Sequence, residues 1–371
     1  MKDCLIIGGG VIGLSLAYEL TQHGLSSCVI DRGEPGREAS WAGAGILPPA
    51  NLHSATDPLE QLRGLSHQLH AGWAEALRAE TGIDTGYLRC GGLYLSRSVG
   101  ESATLAGLAK MLRAMDIRIE RLSLKSLPEL EPALAPVVQS GDLKAAYLLP
   151  DEAQLRNPHH LQALLAACRQ RGVDIRSDVE ATELCIRNNR MVQVNTANGP
   201  LAAKHYCIAA GAWTFQLLDA IGIRTGILPI RGQIVMFSCN TRPFERVFNE
   251  GSRYLVPRAD GRVLVGSTEE EVGFDKRTTA AATHELEQLA RGLVPCLREA
   301  TIERSWAGLR PGTFDGLPYL GQVPTLENAF VAAGHFRNGL HMSTGTAVVL
   351  SQLIRGKTPQ IDLAPFRIGR G

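Results

Sequence analysis

The stretch Asp3 to Asp31, DCLIIGGGVIGLSLAYELTQHGLSSCVID, sets the fold: a short apolar run meets a glycine cluster, continues in a helical pattern and returns to a second apolar run. Asp3 to Ile7 reads as a buried strand, Val11 to His23 as a helix and Ser26 to Asp31 as a second strand, an order that pairs the two strands in parallel. Between the first strand and the helix, Gly8, Gly10 and Gly13 form the G-x-G-x-x-G pattern. Gly8 takes the tight turn, Gly10 lets a pyrophosphate approach the backbone, and Gly13 lets the helix lie close on the strand. Val11 and Ile12 open a helix whose N-terminus attracts phosphate charge. Asp31, eighteen residues after Gly13 and followed by Arg32, is placed to accept the ribose hydroxyls of an adenosine. The spacing predicts a dinucleotide site and leaves FAD and NAD both open.

A chain of 371 residues exceeds the usual single-domain range, so two domains or one with an inserted lobe are expected. Lys+Arg 38 against Asp+Glu 37 gives a formal charge of +1, and no block of like charge marks a nucleic-acid surface. The eight cysteines form no C-x-x-C pair, and several sit in apolar strand-like runs, the pattern of buried free thiols in a cytoplasmic protein. The apolar N-terminus has an acid at position 3 and glycines in its centre, so it reads as folded structure rather than as a leader. No apolar run approaches the roughly 18 residues of a membrane span. His67/His70 and His159/His160 lack the partners and spacing of a metal site, and G-x-S-x-G is absent.

Working outward, the small-residue segment Ala39 to Leu47, ASWAGAGIL, suits backbone that must approach a flat ring or phosphate, with Ala39, Ser40, Ala44, Gly45 and Ile46 as candidate contacts. Pro58 to Thr81 is a helix by the spacing of Leu59, Leu62, Leu65, Leu69, Trp73 and Leu77. Gly86 to Ser96 and Ile227 to Ser267 are strand-rich and broken by Gly and Pro, as in antiparallel sheet. Asn157 to Arg171 is helical, Val173 to Arg176 and Val179 to Ile186 are strands, and Cys207 to Trp213, CIAAGAW, is a buried strand running into a glycine. That last piece is either the return of the chain beside an adenine, with Val179, Ala210, Gly211 and Trp213 in contact, or an ordinary strand end. Ala329 to Ile354 reads as strand, glycine turn and helix. The expectation is an α/β fold in which a Rossmann-like dinucleotide-binding domain, residues 1–85, 145–226 and 311–371 (the FAD-binding domain of the resemblance given next), is interleaved with a smaller antiparallel β-sheet (α+β) substrate domain, residues 86–144 and 227–310.

The glycine fingerprint with Asp31, GAGIL, YLVPR (Tyr254 to Arg258), VLVGST (Val263 to Thr268), WAGLRPGTFDGLPYLG (Trp306 to Gly321) and AAGHFRNGLHMSTGTA (Ala332 to Ala347) occur in an order that resembles the D-amino-acid oxidase family of FAD enzymes, its glycine-oxidase branch above all. The resemblance implies one non-covalent FAD per chain. It implies a small amino acid or N-alkyl glycine as substrate, O₂ as electron acceptor with H₂O₂ released, and a place in thiamine biosynthesis. Arg310 matches the arginine that holds the substrate carboxylate, a task suited to a permanently charged planar fork, and Tyr254 matches its tyrosine partner. For Arg310 the bland alternative is an ion pair with Asp315. Arg337 matches a further active-site arginine, with a surface charge at a helix start as its alternative. The turn from His335 to His341, with Phe336, Asn338, Gly339 and Leu340, matches residues that face the pyrimidine edge of the flavin. Glu269 and Ser252 depart from the family pattern, in which Met and His occur, and bear on pocket size. Two rivals share the fold: a D-amino-acid dehydrogenase passing electrons to a quinone, and a non-catalytic FAD-bound assembly factor. The reading leaves room for a homo-oligomer.

Overall fold

The computed structural model describes residues 1–370. One sheet contains β1 (Lys2–Ile7), β2 (Ser27–Ile30), β8 (Asp174–Arg176), β11 (Ala203–Ile208), β17 (Tyr319–Gln322) and β18 (Ala329–Ala333), in the spatial order β17-β18-β11-β1-β2-β8. Every pairing in it is parallel except that of β17 with β18. A second, eight-stranded sheet contains β4 (Gly92–Ser96), β5 (Glu120–Arg121), β6 (Ala145–Leu149), β12 (Leu228–Ser238), β13 (Val247–Glu250), β14 (Arg253–Pro257), β15 (Arg262–Gly266) and β16 (Thr301–Gly312), in the order β16-β12-β15-β14-β13-β4-β6-β5. It is antiparallel apart from β4 with β13. Two small ladders complete the strands, β3 (Ile46–Leu47) with β7 (Ala153–Gln154) and β9 (Ala181–Arg187) with β10 (Arg190–Thr196).

The first sheet is buried on both faces, which is why β1 and β2 read as unbroken apolar runs. Cys4, Ile6 and Val29 meet the helices Val11–Gln22, Pro58–Thr81, Asn157–Gln170 and Ser343–Ile354 through Leu14, Leu62, Leu164 and Leu350. Leu5, Ile7 and Ile30 meet instead the β9–β10 hairpin through Leu184, Met191 and Val194. Each such large side chain, buried to a few per cent exposure or less, contributes roughly 1.5–3 kcal/mol. The helix Pro58–Thr81 has clear ends: Pro58 opens it, the Asp57 carboxylate accepts from the N–H groups of Leu59 and Glu60, both at 3.0 Å, and Gly82 closes it in the left-handed conformation.

Two segment boundaries differ from the sequence expectation. β6, placed with the cofactor segments from residue 145, pairs with β4 and β5 in the eight-stranded sheet, and β16 continues past residue 310 to Gly312. A run such as Ala145–Leu149 is apolar in either sheet, so its composition does not choose a partner. Val179 lies in the connection between β8 and β9 rather than on a strand, its N–H donating to Asp31 O at 2.7 Å.

The two sheets meet through a few directed contacts. Arg258, at the end of YLVPR, is buried and donates to Ala44 O at 2.7 Å, Gln154 Oε1 at 2.7 Å and Leu155 O at 3.0 Å, tying the eight-stranded sheet to the GAGIL segment. Burial pulls its pKa down to about 10, so it keeps its charge at neutral pH. Trp306, on the edge strand β16, donates from Nε1 to Ala42 O at 3.0 Å.

Candidate active site

Between the sheets lies a cavity of about 700 Å³. At one end is the β1 turn. Gly8 has φ +112°, and a Cβ on it would come within 2.7 Å of the Ala209 carbonyl carbon, so strand β1 and the end of β11 approach closely only because this residue is glycine. A Cβ on Gly13 would collide with Gly8 O; Gly13 sets the helix against the turn and does not line the cavity. Gly10, by contrast, faces open space: a Cβ there would meet only Ser40 Oγ, at 3.2 Å. Gly10 caps the helix Val11–Gln22 without a side-chain bond, and the first turn holds no acid. That helix end therefore offers positive partial charge to the cavity, as a pyrophosphate requires. Ser40 Oγ accepts from Val11 N–H at 2.9 Å and fixes the loop beside it.

Asp31 accepts from Gly9 N–H at 2.8 Å and Gly33 N–H at 3.0 Å, and the net effect of burial raises its pKa against these bonds. Val11, Ile12, Asp31 and Arg32 line the cavity here; Arg32 stacks its guanidinium 3.6 Å from the Trp213 ring centroid. Val179, Ala210, Gly211 and Trp213 line the cavity beyond them, and Ala39, Ser40, Ala44, Gly45 and Ile46 form a further part of its wall. Asn157, which sequence reasoning missed, also lines this wall: its Nδ2 donates to Ser40 O at 2.7 Å while Oδ1 is buried without a partner. An orphaned acceptor, a helix end with no acidic residue in its first turn and a glycine opening together fit an extended dinucleotide.

The other end is built by register. Tyr94, Asn249, Tyr254, Gly266, Ile234 and Trp306 stand opposite one another across β4, β13, β14, β15, β12 and β16, so they share the face toward the cavity. Two residues on from Trp306 comes Gly308, and two more bring Arg310 to the same face. Arg310 donates from Nη2 to Ser267 Oγ at 2.6 Å and from Nη1 to Thr268 O at 3.1 Å, both neutral oxygens. Asp315 is elsewhere engaged, gripped by Arg370 at 2.7 Å and 3.0 Å, and among the described residues no carboxylate pairs with Arg310. Burial, helped by the charge of Arg337, lowers the Arg310 pKa, while Tyr254 and Glu269 oppose that shift.

Arg337 also lines the cavity; it bonds to Glu269 and donates to Ser252 O at 2.9 Å, so it is paired rather than a loose surface charge. His335, Phe336, Asn338, Gly339 and Leu340 line the cavity near it. Burial pushes His335 down to about 3, leaving a neutral ring whose Nε2 meets Thr346 Oγ1 at 3.1 Å. Phe336–Asn338 is a short 3₁₀ turn and the last helix begins only at Ser343, so Asn338 and Gly339 precede that helix rather than open it. His341 departs from expectation: it does not line the cavity, and its ring stacks on His70 at 6.2 Å within the helical layer. Tyr94 and Asn249 were missed. They share Glu152, whose Oε2 accepts from Tyr94 Oη at 2.7 Å and Oε1 from Asn249 Nδ2 at 3.1 Å; burial raises that carboxyl to about 7. None of the eight cysteines lines the cavity, and no metal cluster occurs among the described residues.

The family model for DAO, FAD dependent oxidoreductase, matches residues 3–353. The chain belongs to this family of FAD enzymes. Among curated members, a glycine oxidase from Pseudomonas putida is 35% identical over 366 residues, covering 98% of each chain. A bifunctional ThiO/ThiG protein from Trichormus variabilis is 32% identical over all of this chain and 55% of its own length. The crystal structure of glycine oxidase from Geobacillus kaustophilus superposes with a TM-score of 0.93 at 32% identity, covering 100% of this chain and 99% of that one. The FAD called for by this membership matches the cavity on the grounds already given. No helix among the described residues is long and apolar enough to cross a membrane.

Proposed function

We propose that this FAD enzyme oxidises glycine or another small amino acid or N-alkyl glycine to the imine, which water converts to the 2-oxo acid and ammonia or amine, while O₂ is reduced to H₂O₂. The observation that carries the reading is Arg310: a guanidinium held by two neutral oxygens, with no carboxylate of the chain to neutralise it, on the cavity face of the sheet. Such a group is costly to bury alone and gains from a substrate carboxylate that takes both its N–H edges. Tyr254, buried in the same wall, supplies a hydroxyl beside that carboxylate. Bound FAD supplies the hydride acceptor for the substrate Cα and passes the electrons on to O₂. The chain's own part is orientation: Arg310 and Tyr254 fix the carboxylate, and Ile234, Gly308 and the turn from His335 to Leu340 line the cavity around it.

Gly8, Gly10, Val11 and Ile12 would cradle the pyrophosphate, with Asp31 and Arg32 at the adenosine and Val179, Ala210, Gly211 and Trp213 along the adenine. The glycine-oxidase and ThiO/ThiG relatives favour a supply of oxidised glycine to thiamine synthesis, and the free cysteines suit the cytoplasm as its place. The test is a panel of glycine, sarcosine and small D-amino acids, followed by anaerobic bleaching of the flavin absorbance and by peroxide release in air. Bleaching with a small amino acid and stoichiometric peroxide supports the proposal. Bleaching without peroxide turns it toward a dehydrogenase, and no bleaching with any of them rejects it.

A further inference from the structure

We propose that Glu269 is a specificity residue that keeps the second cavity arginine, Arg337, occupied and so restricts the site to substrates with a single carboxylate. This rests on the amino-acid reading above. The segment Ser267-Thr268-Glu269, just after β15, holds both arginines: Ser267 Oγ and Thr268 O take Arg310, and the Glu269 carboxylate takes Arg337. Arg337 Nη2 is spent on Ser252 O at 2.9 Å, so both of its terminal nitrogens are engaged inside the protein. Both terminal nitrogens of Arg310 are bonded as well, but to neutral oxygens, so its charge, unlike that of Arg337, is left for a ligand.

The three charges feel one another. Arg337 makes the Arg310 charge harder to hold and Glu269 makes it easier. With Glu269 in place, the cavity wall offers one uncompensated positive charge. Without it, the wall would offer two, at separate points, which is the recognition pattern for an amino acid carrying a second carboxylate. A second substrate carboxylate in the native pocket must displace Glu269 and sit beside it, and like-charge contact disfavours this. The Glu269 side chain is 40% exposed, so the ion pair adds little to folding and its removal should leave the fold intact.

The experiment compares D-alanine with D-aspartate, which differ by one carboxylate, in the holoenzyme and in Glu269→Gln, which keeps length and removes charge. Calorimetric binding of acetate and malonate to the same proteins gives a readout independent of turnover. The expected result is a rise of about ten- to hundredfold in the D-aspartate to D-alanine ratio of kcat/KM, and a similar tightening of malonate relative to acetate. The double variant Glu269→Gln with Arg337→Gln should lose that gain, because the freed guanidinium is its source. Unchanged ratios in Glu269→Gln overturn the proposal, as does a gain that persists in the double variant. If malonate tightens as expected but no amino acid is oxidised, the reaction proposed above falls and the charge selection stands.

Discussion

Gly232 lies directly beneath the guanidinium of Arg310: a Cβ built on it would overlap Cζ and both terminal nitrogens. The missing side chain on β12 is what gives the arginine on β16 its seat against Ser267 and Thr268. Gly232→Ala should therefore push Arg310 off those oxygens at a cost of about 1–3 kcal/mol in substrate capture. The change should show as a higher KM with undiminished flavin content. A variant with native KM would mean that the arginine can move without consequence.

Replacing Arg310 itself removes the fork. Arg310→Met should keep its flavin and lose roughly 2–5 kcal/mol in kcat/KM for glycine or sarcosine. Arg310→Lys should recover only part of this, since one ammonium cannot form two parallel bonds. Tyr254→Phe should lose about 1 kcal/mol. Anaerobic flavin bleaching against substrate concentration measures all three; saturation of Arg310→Met at the wild-type concentration would move the carboxylate to another group, with Arg337 next in line.

The two glycines of the first turn should separate folding from cofactor binding. At Gly10 a methyl meets only Ser40 Oγ, at 3.2 Å, so Gly10→Ala should fold yet lose FAD by crowding the pyrophosphate. At Gly8 a methyl meets the Ala209 backbone and the residue has φ +112°, so Gly8→Ala should damage the sheet itself. Flavin content and circular dichroism of the two purified variants make the comparison. Full flavin occupancy in Gly10→Ala would remove the pyrophosphate from this turn.

Because no cysteine lines the cavity, the flavin should be held without a bond to sulfur. Acid precipitation should leave yellow FAD in the supernatant. Colour retained in the pellet would contradict this.

Glu152 gives a pH dependence with a definite sign. Burial raises its carboxyl from 4.5 to about 7, so the folded state prefers the protonated form. The stability linked to that proton is fully present below the unfolded value and is lost as pH rises through about 7, a change of about 3 kcal/mol for a shift of this size. Glu152→Gln, which keeps an acceptor for Tyr94, should gain on wild type as pH rises from 5 to 8. Denaturant unfolding of both proteins across that range tests it; parallel curves would show that Glu152 does not titrate with folding.

Local signals were readable in the sequence and long-range register was not. The Pro58–Thr81 helix declared its bounds because Asp57, Pro58 and Gly82 act within a turn of its ends. The glycine turn was legible because its chemistry lies within six residues. Tyr94 and Asn249 were invisible because they reach the cavity only through the pairing of β4 with β13, strands far apart in the chain, and nothing in GLYLS or VFNE names its partner. For the same reason nothing in Ala145–Leu149 shows that it pairs with β4 and β5 rather than going with the cofactor segments that follow it. His335 and His341 look equivalent within one motif, yet the backbone turn sends the first toward the cavity and the second toward His70. The departures at Glu269 and Ser252 were noticed singly; that both bond to Arg337 is a fact of three dimensions.

The strand order of the first sheet bears on how the protein is made. β1 and the phosphate turn are made well before their partners: β1 waits for β11 at residues 203–208, β11 waits for β18 at residues 329–333, and the helix that packs on Val11–Gln22 ends at Ile354. Throughout most of synthesis the nascent chain carries an apolar strand with an open edge and a nucleotide turn without its walls. The cavity walls are therefore complete only once Ala332 to Leu340 have been made, and a chain cut short before them carries the fingerprint without the cavity it serves.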